Sequence, residues 1–320
     1  MAGVMVGVDL GGTKIQSAAV RAKKVAGSYR TATPQTGAND VAAAIIESVQ
    51  KGLAEAGASL SDLRAVGIGA PGQIDRTAGT VASSPNLPGF QAAQPVDLGP
   101  RVSKGLGGVP ITLDNDVRVA ILGEYRRGAG RPFKDVLGVW VGTGVGGGLI
   151  LDGTLREGHG AAGEIGHTIV KPDGRMCSDG RRGHLEAYAG RGRIEARARS
   201  LVKQGEKTVL FQIMKKKGRT RVSSGVIADA LEQKDKMTRS LIDDAVWALG
   251  VALASAQNLL DLEAIIIGGG LGERLGAPFV ARIAKEMQPR LFVPDRPPAM
   301  LTTEFGDLSG AVGAAVLAGG

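Results

Sequence analysis

The chain has 320 residues, of which 43% are hydrophobic, with a formal net charge of +8 and a single cysteine. This length allows one large domain or two ordinary ones. One cysteine excludes an internal disulfide and is typical of a reducing compartment, and 3% aromatic residues argue against base-stacking surfaces for single-stranded nucleic acid. No stretch of about 20 apolar residues and no basic-then-apolar leader occurs, so we expect a cytoplasmic protein without a membrane span.

The first third of the chain alternates strand-like and helix-like segments. The glycine pair Gly11-Gly12 separates its first two apolar runs, which predicts a β-hairpin. Strands that alternate with helices indicate an α/β layer. The predicted elements are, in chain order, strands at residues 4–8 and 15–20, a helix at 41–56, strands at 65–68 and 109–113, and a helix at 117–127.

The opening pattern recurs in the second half. Two apolar strands surround a glycine turn in residues 136–151, and a strand at 264–267 runs into residues 268–270 after a helix at 240–260. We therefore expect two lobes, each with one phosphate-binding hairpin, that face each other across a cleft. The charged, helix-like segment 194–236, which contains the basic tract 215–221, is interpreted as a solvated insertion or helix end, and a polyanion-binding site is the alternative.

Two segments, residues 67–72 and 142–147, match the dinucleotide-binding pattern G-x-G-x-x-G. Neither is expected to open a helix, because Pro71 and Gly79 interrupt the first and an apolar strand follows the second. Without a helix N-terminus to receive a pyrophosphate, the pattern lacks its physical basis.

Three glycine-rich turns, at residues 11–12, 142–144 and 268–270, begin where apolar strands end. Their backbone N–H groups would be open to anionic oxygens. Asp9 precedes the first turn, and a carboxylate beside phosphates is suited to bind Mg²⁺ directly or through water. The alternative is that Asp9 only caps the turn.

A second acidic site follows the strand predicted at 109–113. Asp116 falls where that strand ends and a helix begins, the position at which open α/β sheets place functional groups. An acid there is able to accept a proton from an attacking hydroxyl, and Asn115 beside it is able to bind hydroxyls. Asp114 or Asp116 acting only as a helix N-cap explains the pattern equally well.

The third site concentrates rare side chains. The chain has three histidines and one cysteine, and two of the histidines and the cysteine lie within residues 163–186. Their chemistry predicts a tetrahedral metal site, and a purely structural loop is the alternative. Glu164 and Glu186 flank the segment, and carboxylates are natural partners for sugar hydroxyls. The predicted metal ligands are His167, Cys177, Asp179 and His184.

Together these motifs resemble the ROK family, which groups bacterial sugar kinases with sugar-responsive repressors. The resemblance covers nearly the whole chain in the order DLGGTK, GIGAPG to SPNLPGF, NDVRVAILGE, GTGVGGG, GEIGH, GHLE and IIIGGG. It implies an α/β fold of the two-lobed actin-like ATPase (ribonuclease H-like) type with a central cleft. The smaller lobe would comprise residues 1–116 with 306–320, and the larger lobe residues 117–305 with a surface for homodimerisation.

The resemblance also implies a reaction, in which ATP with Mg²⁺ phosphorylates a hexose, most often glucose, at its 6-hydroxyl. Asp116 would be the general base. The implied sugar ligands are Gly72, Asn86, Asn115, Asp116, Glu164, His167 and Glu186. The implied nucleotide and Mg²⁺ ligands are Asp9, Gly11, Gly12, Thr13, Lys14, Thr143, Gly144, Gly268, Gly269 and Gly270.

The sequence departs from the family at its zinc loop, which normally reads C-x-C-G-x-x-G-C-L-E and here reads CSDGRRGHLE. Cys177 keeps the first cysteine, whereas Asp179 and His184 replace the other two. Both replacements can bind Zn²⁺, although oxygen and nitrogen hold it less tightly than thiolates do, so both outcomes stay open. Arg118 is a second departure, because the family often has asparagine there.

Two alternatives compete with the ATP-dependent kinase. Repressors of the family carry a DNA-binding winged helix before the first phosphate loop, and only eight residues precede Asp9, so we expect no nucleic-acid partner. A kinase that uses polyphosphate is the other alternative, although we expect ATP to be the better donor. The basic groups behind that alternative are the tract 215–221 and Arg181, Arg182, Arg191 and Arg193.

Overall fold

The computed structural model describes residues 3–84, 87–91 and 94–319. The chain forms two compact α/β units, Met1–Pro132 with Glu304–Gly320, and Phe133–Thr303. The strands are β1 (Val4–Leu10), β2 (Lys14–Arg21), β3 (Lys24–Ala32), β4 (Leu63–Ala70), β5 (Gln73–Asp75), β6 (Thr80–Ser83), β7 (Ile111–Asn115), β8 (Val136–Val141), β9 (Val145–Leu151), β10 (Thr154–Leu155), β11 (Ala264–Gly268) and β12 (Ala299–Thr302). The helices are α1 (Ala38–Glu55), α2 (Leu98–Gly105), α3 (Asp116–Arg127), α4 (Glu186–Ala189), α5 (Arg191–Lys203), α6 (Leu210–Lys216), α7 (Ser224–Glu232), α8 (Lys236–Leu260), α9 (Gly269–Met287) and α10 (Ser309–Gly319).

The first unit is built on a five-stranded sheet in the order β3-β2-β1-β4-β7. Strands β1, β2 and β3 are antiparallel neighbours, whereas β1, β4 and β7 run parallel. The parallel register pairs Asp9 with Gly69 and Gly69 with Asp114. Because neighbouring strands are about 4.8 Å apart, the backbones of Asp9 and Asp114 are separated by roughly 10 Å. The first glycine turn and the predicted acidic site therefore lie at the same edge of the sheet.

Helix α10 packs on this sheet through direct backbone contact. Cβ atoms added to Gly7 in β1 and Gly67 in β4 would overlap carbonyl oxygens of the helix. A Cβ added to Gly313 in the helix would overlap the carbonyl oxygen of Val119 in α3. Glycine is required at these positions because the backbone of α10 lies directly against the backbones of β1, β4 and α3.

We expect Gly313→Ala to lower the free energy of unfolding by about 1–3 kcal/mol, because overpacking forces two backbones apart. Gly319→Ala in the same helix is the matched control, since a Cβ there meets only Met5 Cγ at 3.8 Å, an ordinary contact. Urea unfolding followed by circular dichroism measures both variants. Equal stability of the two would contradict the close packing described for α10.

The second unit carries a five-stranded sheet in the order β10-β9-β8-β11-β12. Strands β8 and β9 form an antiparallel hairpin, and β11 runs parallel to β8 and β12. The 25-residue helix α8 supplies much of the core of this unit, with Leu241, Leu249 and Leu253 buried. Gly268 pairs with Trp140, so the glycine turns after β8 and β11 lie side by side at one edge of the sheet.

The predicted α/β class is confirmed, and every strand and helix predicted from the sequence is present with ends shifted by a few residues. Neither G-x-G-x-x-G segment opens a helix, as predicted. The turn at residues 268–270 differs from the other two, because it leads directly into α9. Among the described helices, none has the length and apolar character needed to cross a bilayer.

The boundaries of the units differ from the predicted lobes of 1–116 with 306–320 and 117–305. The structure places the whole of α3 in the first unit, which therefore extends to Pro132 and resumes at Glu304. The reason is the contact between α3 and α10 at Gly313. The predicted boundary at the end of β7 is therefore placed too early, because it separates α3 from the unit on which α3 packs.

Candidate active site

The loop of residues 11–14, which is predicted to bind phosphate and is called the first phosphate loop below, joins β1 to β2. Its first N–H donates to its last carbonyl at 2.9 Å, which closes the turn. Two side chains that follow β3 hold its glycine carbonyls: Thr33 Oγ1 donates to Gly11 O at 2.6 Å, and Gln35 Nε2 donates to Gly12 O at 3.2 Å. These bonds fix the loop from its carbonyl side.

Lys14 at the end of this loop is held by an ion pair. Its Nζ lies 3.0 Å from Asp307 Oδ1, and Arg30 Nη2 lies 2.6 Å from Asp307 Oδ2. Although burial favours the neutral carboxyl, the hydrogen bonds and charges of these two cations lower the pKa of Asp307. The ammonium predicted to face phosphate thus has a carboxylate partner from the far end of the chain.

Asp9 is the last but one residue of β1, before the first phosphate loop, and lies against the first turn of α10. A Cβ added to Gly310 would be 2.8 Å from Cγ of Asp9. Asp9 is partly exposed. A carboxylate in this position is stabilised by the dipole at the N-terminus of α10.

Asn115 and Asp116 stand where β7 passes directly into α3. Asn115 is the N-cap, and its Oδ1 accepts from the N–H groups of Val117 at 3.0 Å and Arg118 at 3.3 Å. The alternative that Asp114 or Asp116 caps this helix is therefore wrong. Asp116 occupies the first turn of α3, where its Oδ1 accepts from the Val117 N–H at 2.9 Å.

The amide of Asn115 also reaches the segment that follows β4. Its Nδ2 lies 3.5 Å from the carbonyl of Gly72, at the outer limit of a hydrogen bond. Because Oδ1 is occupied by the helix cap, this donor side is what Asn115 offers to a ligand. Asn86, predicted to lie in the same region, falls outside the described residues.

Asp114, two residues before Asp116, is buried between two arginines. Its side chain is 2% exposed, with Oδ2 3.5 Å from Arg76 Nε and Oδ1 3.6 Å from Arg118 Nε. Oδ1 also accepts the Asn115 N–H at 2.8 Å. Burial lowers the pKa of Arg118 and Arg76 lowers it further, whereas Asp114 raises it. Arg118, the departure from the family pattern, therefore belongs to a buried charge cluster beside Asp116.

The loop of residues 142–144, which is also predicted to bind phosphate and is called the second phosphate loop below, joins β8 to β9 in the second unit. Its first N–H donates to its last carbonyl at 2.9 Å. The start of α5 binds the same loop, because the Arg191 N–H donates to Gly142 O at 3.0 Å and the Gly192 N–H donates to Thr143 O at 2.9 Å. The loop is thus fixed by one backbone hydrogen bond within itself and by two from the start of α5.

The third glycine turn, residues 268–270, lies beside the second phosphate loop. A Cβ added to Gly269 would be 2.8 Å from the Val141 nitrogen. Gly269 has a φ of 75°, which favours glycine, and it begins α9. The turn therefore leads into the start of α9, an arrangement that favours anions. The helix is interrupted at Gly276, whose φ of 59° and ψ of −153° are not helical.

Glu186 connects the second phosphate loop with the predicted metal loop. Its Oε2 accepts the Val145 N–H at 3.0 Å, and a Cβ on Gly144 would overlap this oxygen. Its Oε1 accepts from the Ser178 hydroxyl and from Cys177 Sγ, the latter at 3.5 Å. Both oxygens of this predicted sugar ligand thus already have protein partners.

The four predicted metal ligands come together in the second unit. One ligand atom from each of His167, Cys177, Asp179 and His184 lies within 4.8 Å of every other. Asp179 Oδ2 is 3.3 Å from His167 Nδ1 and 3.2 Å from His184 Nδ1, and the two Nδ1 atoms are 3.4 Å apart. Ligands bonded at about 2.0–2.1 Å to a tetrahedral ion are separated by roughly 3.3–3.4 Å. The triangle therefore has the size of one face of a zinc tetrahedron.

The protonation preferences of this cluster differ between its members. Burial raises the pKa of the Cys177 thiol. Burial alone would raise the pKa of Asp179. The pKa is nevertheless lowered, because Asp179 accepts hydrogen bonds from the Arg181 N–H and from Cys177 and lies beside the two histidines. The carboxylate is thus favoured, whereas Cys177 needs a neighbouring cation to become a thiolate.

The predicted site residues divide between the units. Asn115 and Asp116 share the sheet edge with the first phosphate loop, whereas Glu164, exposed, precedes the 3₁₀ helix that ends at His167. The contacts of Thr33, Gln35 and Asp307 with the first loop were not predicted. These residues are distant from the loop in the sequence, so no local spacing indicates the contacts. Residues of the first unit are Asp9, Gly11, Gly12, Thr13, Lys14, Gly72, Asn115 and Asp116; those of the second are Thr143, Gly144, Glu164, His167, Cys177, Asp179, His184, Glu186, Gly268, Gly269 and Gly270.

The sequence profile of the ROK family matches residues 5–320. The glucokinase of Streptomyces coelicolor is 32% identical over 324 aligned residues, which cover 99% of this chain and 98% of that protein. The Thermotoga maritima glucokinase is 33% identical and covers 89% of this chain and 88% of its own. Among solved structures, the ROK family glucokinase of Streptomyces griseus in complex with glucose and AMPPNP is 33% identical, with a TM-score of 0.81 and 99% of each chain covered. This chain therefore belongs to the ROK family.

Proposed function

We propose that the protein is an ATP-dependent sugar kinase that phosphorylates a hexose at its 6-hydroxyl, with glucose as the preferred substrate. Curated glucokinases align with nearly the whole chain at 32% and 33% identity, which makes it a phosphotransferase of the hexokinase and glucokinase type. The complex of the S. griseus relative with glucose and AMPPNP supports the choice of both substrates. The main structural support is that Asp116 and the first phosphate loop lie at the same end of the first sheet, after the ends of β7 and β1.

In the proposed reaction, the sugar hydroxyl oxygen attacks the γ-phosphorus while the Asp116 carboxylate accepts the hydroxyl proton. The bond between the γ-phosphorus and the bridging oxygen breaks, and ADP leaves. Thr143 and Gly144 contact the transferring group, and residues 268–270 contact the rest of the nucleotide. Most of the acceleration comes from positioning and charge neutralisation.

Asp9 fits the proposed Mg²⁺ site, because it is a partly exposed carboxylate beside a glycine loop. Gly11, Gly12 and Thr13 present their backbone to phosphate there, and Lys14 adds a cation. Mg²⁺ at this position supplies charge neutralisation on the phosphate oxygens. The sugar is held in turn by Asn115, Glu164, His167 and Glu186, and the segment with Gly72 and Asn86 completes its site.

We also propose that His167, Cys177, Asp179 and His184 hold Zn²⁺. The donor set is suitable, and the 3.2–3.4 Å spacing of three donors matches a tetrahedral ion. Zn²⁺ would deprotonate the Cys177 thiol and tie the loop to the position from which His167 and Glu186 meet the sugar.

We expect the purified protein to contain about one Zn²⁺ per chain, and His184→Ala to lose it, because one of four ligands is removed. His159→Ala is the matched control, since His159 is the third histidine and lies outside the cluster. Inductively coupled plasma mass spectrometry after extensive dialysis measures the metal. Retention of Zn²⁺ by the His184 variant, or its lack in the unaltered protein, would refute the site.

The proposed activity is tested by a coupled kinase assay with glucose, mannose, fructose, N-acetylglucosamine and N-acetylmannosamine. Each sugar is paired with ATP and with polyphosphate as donor. We expect kcat/KM to be highest with glucose and ATP. No turnover with any sugar, together with specific DNA binding, would favour a repressor. Turnover with polyphosphate but not with ATP would show that polyphosphate is the phosphoryl donor.

The proposed assembly is a homodimer formed through the second unit. Sedimentation equilibrium at several protein concentrations measures its mass, and we expect twice the chain mass of 32.8 kDa. A single species at the chain mass would contradict the dimer without affecting the proposed reaction.

A further inference from the structure

Arg191, the first residue of α5, reaches both glycine turns of the second unit. Its Nη2 donates to Thr143 Oγ1 at 2.9 Å, and its Nη1 donates to Ser224 Oγ at 3.2 Å. A Cβ added to Gly270 would lie 3.8 Å from Nη1. The guanidinium therefore lies between the second phosphate loop and the third glycine turn.

These hydrogen bonds determine how the two hydroxyls are oriented. A guanidinium carries only donors, whereas a hydroxyl has one proton and two lone pairs. Thr143 and Ser224 must therefore accept from Arg191, and each keeps its own proton for a different acceptor. An anionic oxygen bound at the loop would be such an acceptor.

The charges around Arg191 also favour an anion. Burial lowers the pKa of Arg191, and the positive charge of Arg221 lowers it further. Glu195 acts in the opposite direction, but its carboxylate is bonded to Arg199 at 2.6 Å and to the Val222 N–H at 2.9 Å. Within the described part of the chain, no carboxylate forms an ion pair with Arg191. A partly buried cation next to a second cation is stabilised by a bound anion.

We propose that Arg191 binds phosphate oxygens of the nucleotide donor and orients the hydroxyls of Thr143 and Ser224 to donate to the same oxygens. This inference rests on the proposed use of ATP, and it adds Arg191 and Ser224 to the residues assigned to that site. Arginine suits the role because its planar fork bridges two hydroxyls and still presents N–H groups to a phosphate.

The test measures the affinity of the full-length protein for ADP and for adenosine by isothermal titration calorimetry. The variants are Arg191→Met, which removes the charge but keeps the length, and Arg191→Lys, which keeps the charge but loses the fork. We expect Arg191→Met to weaken ADP binding about 10- to 100-fold, Arg191→Lys to weaken it less, and adenosine binding to change less than about twofold. Lys203→Ala removes an exposed cation from the other end of the same helix and should leave both affinities unchanged.

Three results would overturn the inference: ADP affinity unchanged in Arg191→Met, equal losses for ADP and adenosine, or no ADP binding by the unaltered protein. Equal losses would mean that Arg191 only supports the local structure. ADP binding that depends on Arg191, without phosphorylation of any sugar, would instead refute the proposed reaction and leave this inference standing. The two proposals therefore fail on different observations.

Discussion

Replacement of Asp116 by asparagine is expected to lower kcat for sugar phosphorylation by about 10²- to 10⁴-fold, with little change in sugar affinity. Asparagine can still bind the sugar hydroxyl, but it cannot accept the proton. Its side-chain oxygen is also able to keep the hydrogen bond that Asp116 Oδ1 accepts from the Val117 N–H at 2.9 Å, so the start of α3 should stay intact. Steady-state kinetics together with calorimetric titration of glucose separate the two effects.

Asp40→Asn is the matched control for this variant. Asp40 is also an acid in the first turn of a helix of the first unit, α1, but it lies outside the proposed site. We expect its kcat to stay within about twofold of the unaltered protein. An Asp116→Asn enzyme with near-normal kcat would mean that another group removes the proton.

Replacement of Asp114 by asparagine is expected to lower the free energy of unfolding by about 3–5 kcal/mol, because it breaks a buried charge cluster. Asp114 and Arg118 are 2% and 8% exposed, so water does little to screen the guanidinium when the carboxylate is removed. The two neighbouring aspartates thus have different roles: Asp116 should affect turnover and Asp114 stability. Chemical denaturation of both variants measures this difference.

The double variant Asp114→Asn with Arg118→Met tests the cause of the instability. Removing both charges replaces a broken ion pair by a less polar contact, so the double variant should be more stable than Asp114→Asn alone. Additive losses from the two substitutions would show that Asp114 and Arg118 do not interact. Full stability of Asp114→Asn would show that the cluster contributes nothing to folding.

Local pattern was sufficient to predict much of the fold and part of the site. The first hairpin follows from apolar runs around Gly11-Gly12, and the position of Asp116 follows from a strand that ends where a helix begins. The clustering of His167, Cys177, Asp179 and His184 was predicted because these residues lie within a short segment. That segment folds back on itself, with bridges between Ile169 and His184 and between Met176 and Arg182.

Contacts between distant segments were not predictable in this way. Lys14 and Asp307 are 293 positions apart, and Arg191 and Thr143 are 48 apart, so no spacing rule connects them. Asn115 was assigned to the sugar, whereas the structure also uses its Oδ1 to cap α3. The small residues of α10 gave no sign of which strands they approach, because that depends on how the helix packs on the finished sheet.

The proposed reaction transfers a phosphoryl group from ATP to the primary hydroxyl of a hexose, with Asp116 as the base. ³¹P NMR of a reaction of the purified protein with ATP, Mg²⁺ and glucose measures this transfer. We expect ADP and a new phosphate monoester whose phosphorus signal is split by the two protons of the C6 methylene. The same signal should be undetectable over the same period with Asp116→Asn. Intact ATP with every hexose, or a phosphorus signal coupled to a single ring proton, would refute transfer to the 6-hydroxyl.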